Sequence, residues 1–105
     1  MRLPKKLSIF GQTWQVVEQH KIPSDDDKEL AGLACKESKT IHIEKLQDVE
    51  AKLHTLIHEV GHAMFARVGL NQTEISSDIE EVIVENFATV MCENFDIKIK
   101  LPKRK

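Results

Sequence analysis

The spacing of apolar and polar side chains changes period once along this chain, near residue 48. Before that point, β-favouring residues come in short runs. In residues 7–19, LSIFGQTWQVVEQ, Ile, Phe, Trp and Val surround Gly11-Gln12, a pattern that predicts a hairpin or a bent strand pair, with Phe10 and Trp14 in the core. Residues 30–36, LAGLACK, and 39–44, KTIHIE, flank the polar Glu37-Ser38 and predict a second hairpin. In its second strand Ile41 and Ile43 alternate with Thr40, His42 and Glu44, so His42 stands on the polar face. Between the hairpins, HKIPSDDDKEL reads as a loop. Its three aspartates lack the Gly and terminal Glu of a calcium loop, which makes a solvated turn the better account.

From Asp48 the period becomes helical. Asp48 is an N-cap with Glu50 in the first turn, and apolar residues recur at Val49, Leu53, Leu56, Ile57, Val60, Met64 and Phe65. Gly69 supplies the stop. A linker over residues 71–75 leads to Ser76-Ser77-Asp78, where Ser77 with Glu80 or Glu81 resembles a capping box. A second helix then runs over residues 79–94, IEEVIVENFATVMCEN, with apolar residues around nearly its whole circumference, so it should be largely buried. Strands followed by helices predict a small α+β domain, an antiparallel sheet of three to four strands packed on two main helices.

At 105 residues the chain is a single domain, 1–105, long enough to bury one core unaided. A net charge of −2 argues against nucleic acid as a partner; the basic stretch 98–105 reads as a frayed end. No apolar run reaches the ~18 residues that span a bilayer, and no apolar h-region follows Met1–Lys6, so neither a membrane segment nor a secretory signal is expected. Cys35 and Cys92 form no CxxC unit, which favours free thiols and a reducing, cytoplasmic location.

The chemistry concentrates in HTLIHEVGH, residues 54–62. On a helix, His58 and His62 project from one face and can reach a single ion, while Glu59 flanks it and can act as a base. This is the H-E-x-x-H arrangement of a zinc site. A catalytic zinc needs a third protein ligand. A downstream histidine, as in H-E-x-x-H-x-x-G-x-x-H, is excluded because Phe65 and Val68 occupy those places. The second helix instead offers Glu80, Glu81 and Glu85; Glu81 and Glu85 share a face, so one can ligate while the other accepts a hydrogen bond from a ligand imidazole. His54 lies one turn before His58 and reads as a polar residue at the rim.

With these residues the chain resembles the gluzincin-type zinc metallopeptidases, and most of all the small zincin-like proteins of the ImmA/IrrE and related phage type. The resemblance rests on His58-Glu59-Val60-Gly61-His62 and on Glu81-Val82-Ile83-Val84-Glu85-Asn86-Phe87-Ala88, set against the family's E-x-x-A-N-x-F-A. Val84 and Glu85 depart from that pattern. The resemblance implies Zn2+ held by His58, His62 and Glu81, with Glu85 hydrogen-bonded to a ligand or ligating in its place. It also implies a metal-activated water, deprotonated by Glu59, that attacks a peptide carbonyl. An extended peptide or protein substrate would lie along an exposed edge strand, for which residues 39–44 are the candidate. The chain has no tyrosine, so oxyanion or substrate contacts fall to His20, His42, His54 or Arg67. The alternative function is a catalytically silent zinc-binding module that works through a partner protein.

Overall fold

The computed structural model describes residues 3–23, 29–69 and 75–98. The aspartate run 25–27 and most of the basic tail lie outside the described residues. Strands β1 (Lys6–Ile9) and β2 (Gln12–Gln19) form the first hairpin around Phe10-Gly11, both at positive φ, 48° and 81°. Two left-handed residues in sequence give the turn whose twist matches the flanking strands. Phe10 is carried out to the turn tip and is exposed, not a core residue, whereas Trp14 is buried as expected.

Strands β3 (Gly32–Cys35) and β4 (Thr40–Glu44) form the second hairpin across residues 36–39. The sheet order is β1-β2-β4-β3, with β2 parallel to β4. The sheet is therefore mixed where an antiparallel one was expected. The physical reason lies in β4: Ile41 and Ile43 are fully buried, and the strand that carries them takes a central place. Two expectations fall with this. Residues 39–44 are not an edge, because β4 is paired on both sides; the edge on the helix side is β3. His42 lies on the opposite face from Ile41 and Ile43 and hydrogen-bonds Gln19, so it is turned away from the histidine-bearing helix.

Helix α1 (Val49–Val68) begins at Asp48, whose side chain accepts from Ala51 N–H, and ends at Gly69 in the left-handed region. Its Leu56 and Ala63 join Ile9, Trp14, Val16, Ile41 and Ile43 in one core. Helix α2 (Ser77–Asn94) is capped by Ser76, whose Oγ accepts from Ile79 N–H. The Ser77 capping box does not form, because Ser76 is the cap and Ser77 already lies in the helix; Glu80 and Glu81 reach His62 instead.

Helix α2 packs on α1 and makes no substantial contact with the sheet. Of its residues only Glu80, Val84 and Ala88 are buried; Ile79, Val82, Ile83, Phe87 and Val90 are about half exposed, at 45–59%. The largely buried helix expected from composition is thus an outer helix covered on one side. At Gly61 the two helices close on each other: a Cβ there would lie 2.9 Å from Val84 Cγ1.

Candidate metal and catalytic site

One face of α1 and one face of α2 meet in alternating imidazoles and carboxylates. The α1 periodicity that sends Leu56 and Ala63 to the core leaves His54, His58 and His62 facing α2, one turn apart. His58 Nδ1 donates to Glu85 Oε1 at 2.8 Å, and His62 Nδ1 donates to Glu80 Oε2 at 2.5 Å. Each ring is therefore fixed from its outer nitrogen, which directs both Nε2 atoms inward. They stand 3.1 Å apart, and each lies 2.9 Å from a Glu81 carboxylate oxygen.

With both Nδ1–H groups donating to carboxylates, the Nε2 atoms present lone pairs to each other and to two further acceptor oxygens. A cation placed between them would satisfy these acceptors, as would a proton on one imidazole. His58, His62 and Glu81 have ligand atoms all within 4.8 Å of one another, the group of this kind found among the described residues. Two imidazoles and one carboxylate, each imidazole backed by a second carboxylate, suit zinc. The donor set thus fits the ion that the sequence suggested.

Glu59 projects from the neighbouring position of α1 toward β3 and is buried. Burial raises its pKa above the ordinary carboxylate value; His62 and His58 oppose this, Glu81 adds to it, and the Ala34 N–H opposes it again. Burial alone would lower His62, but its hydrogen bond to Glu80 and the charges of Glu59, Glu81 and Glu80 outweigh that, and its pKa is raised.

These groups line an open cleft of about 820 Å³ whose other wall is β3, including Gly32, Leu33 and Ala34. Of the four residues expected as oxyanion or substrate contacts, His54 lines the cleft, with Nε2 3.5 Å from Glu85 Oε1. His20 instead contacts Glu44 at the far end of β4, and His42 and Arg67 do not line the cleft. The pairing of Glu80 with His62 was missed in the sequence, where Glu80 figured as a rival ligand and as a capping-box partner of Ser77. A signal was present: Glu80 shares the i, i+4, i+8 stripe of Val84 and Ala88, and a lone carboxylate on a buried stripe requires a partner. No family model, curated protein or solved structure matches this chain.

Proposed function

We propose that the chain is a zinc-dependent peptidase of gluzincin type that hydrolyses a peptide bond of an extended substrate. The observation that carries this reading is the convergence of His58 Nε2, His62 Nε2 and the Glu81 carboxylate beside a buried Glu59, on the wall of an open cleft. A zinc ion held there would act as a Lewis acid on the scissile carbonyl and bring the pKa of a water toward neutrality. Glu59 takes the proton of the attacking water and passes it to the leaving nitrogen; burial, by raising its pKa, makes it the stronger base. Glu85 and Glu80 hold the two imidazoles in the tautomer that ligates.

The substrate strand adds to β3, the edge that borders the cleft, in place of the strand expected from the sequence. His54 is the cleft residue suited to contact the substrate carbonyl or its flank. The two cysteines, both free, and the absence among the described residues of a helix long and apolar enough to cross a membrane are compatible with work in the cytoplasm.

The test pairs two variants. Glu59→Gln keeps stoichiometric zinc and the fold, and lowers cleavage of a fluorescein-labelled unfolded protein by about 10²–10⁴-fold. His58→Ala loses the zinc. If the wild-type chain binds zinc and shows no cleavage that Glu59→Gln abolishes, the peptidase reading fails and the silent metal-binding module replaces it.

A further inference from the structure

Strand β3 packs on α1, and at Gly32 it leaves no room for a side chain. A Cβ at this position would lie 2.5 Å from Thr55 Cγ2, 3.0 Å from Glu59 Cγ and 3.2 Å from Glu59 Oε2. Gly32 is not among the glycines with positive φ, so its backbone conformation is one any residue adopts. What calls for a glycine is the pair of side chains opposite.

Thr55 is not free to retreat. It is buried, and its Oγ1 donates to Gln47 Oε1 at 3.0 Å. Gln47 is itself tied by its Nε2 to the carbonyls of Ala31 and Glu44, at 3.1 and 2.9 Å. This clamp joins the start of β3, the end of β4 and the middle of α1. Glu59, one helical turn after Thr55, is 7% exposed and enclosed by the same strand.

We infer that Gly32 is a positioning residue for Glu59: the space left by its missing side chain is the slot in which the carboxylate is held beside the metal ligands. The inference rests on the peptidase reading only for its effect on turnover. Its physical content is separate, since Gly32 serves Thr55 and Glu59 at once and the two roles can be pulled apart. Relief of the 2.5 Å contact is a matter of stability, and the contacts at 3.0 and 3.2 Å bear on where the carboxylate sits.

The test uses Gly32→Ala alone and combined with Thr55→Ser, which removes Cγ2 and keeps the hydroxyl that reaches Gln47. Gly32→Ala lowers the melting temperature by about 5–15 °C through overpacking. It also lowers kcat about 10–100-fold at unchanged KM and unchanged zinc stoichiometry. In the double variant the melting temperature returns while kcat stays low. In the metal-free protein, the ¹³C carboxyl resonance of Glu59, assigned by its loss in Glu59→Gln, moves in both variants. An unmoved resonance overturns the inference. So does a double variant in which kcat and the resonance recover together with stability, since Gly32 would then serve only as clearance for Thr55. Where the wild type shows no Glu59-dependent cleavage the peptidase reading fails by itself, and the resonance still decides the role of Gly32.

Discussion

Gly61→Ala puts the meeting of the two helices to a quantitative test. The added methyl would lie 2.9 Å from Val84 Cγ1 and 3.1 Å from Cγ2, against a side chain that is 3% exposed. Carbon atoms rest at ~3.5–4.0 Å, so α2 must withdraw by roughly 0.5–1 Å or Val84 must leave its rotamer. Overpacking of this kind costs about 1–3 kcal/mol, and Ala in place of Gly within a helix returns about 0.5–1 kcal/mol. The net loss of stability is then about 0–2.5 kcal/mol, read from urea unfolding. The effect on the metal is larger than that figure suggests, because the His62–Glu80 hydrogen bond and both His–Glu81 contacts span the same gap. A shift of this size slackens all three, and zinc affinity falls about 10–100-fold, measured by competition with a chromogenic chelator. Adding Val84→Ala makes room for the methyl, so the double variant is less destabilised than the two single changes together by about 1 kcal/mol or more. Unchanged zinc affinity in Gly61→Ala, or additivity within about 0.5 kcal/mol, would refute the reasoning.

Glu80→Gln weakens zinc binding about 10-fold or more and Glu85→Gln less, because the Glu80 side chain is 10% exposed and that of Glu85 48%; equal losses in chelator competition would contradict the assignment of His62 to a buried carboxylate. Glu44 gives a pH signature: N–H groups of Leu46 and Lys21, and then His20, hold its carboxyl at about 2. A depressed pKa favours the charged form in the folded state, so its stabilisation is complete above the ordinary carboxylate range and is lost as pH falls toward 2. The melting temperatures of wild type and Glu44→Gln should therefore differ at pH 6 and converge in acid, and a constant gap would count against this. Phe87→Ser, at a position 57% exposed, changes urea-derived stability by no more than about 0.5 kcal/mol, whereas a buried phenylalanine would cost several times that.

Much of the site was legible because it depends on local geometry. His58, Glu59 and His62 follow from helical spacing alone, and Asp48 and Gly69 bound α1 where capping chemistry puts them. What the sequence hid was long-range. The parallel pairing of β2 with β4 joins residues some 25 positions apart in the chain, and no periodicity encodes which edge a hairpin joins. The period of two correctly put His42 opposite Ile41 and Ile43, but whether that face met solvent or the cleft depended on where α1 lay. The burial of α2 was misjudged because apolar circumference measures how much cover a helix could use, not how much the fold supplies. Gly32 looks like any strand glycine until Thr55 and Glu59 are placed across from it.

A metal bound at this site would be coupled to the fold, because α2 leans on one neighbour. Its buried apolar residues are Val84 and Ala88, and beside its partly covered side chains a set of imidazole–carboxylate contacts ties it to α1. Glu80, Glu81 and Glu85 gather there beside Glu59, and bringing like charges together works against docking unless cations meet them. A divalent ion shared by His58 and His62 of α1 and Glu81 of α2 would turn that repulsion into a bond across the helix interface. At a free zinc concentration 1,000 times Kd the gain is about 4 kcal/mol, comparable to the whole stability of a marginal small domain. Chelation should then lower the melting temperature by about 15–30 °C. In hydrogen exchange α2 should lose protection before β2 and β4, which keep the Ile41–Ile43 core whether or not metal is bound. A melting temperature indifferent to chelator, or protection lost evenly from sheet and helices, would show that α2 is held by its apolar contacts alone and that the ion is no part of the fold.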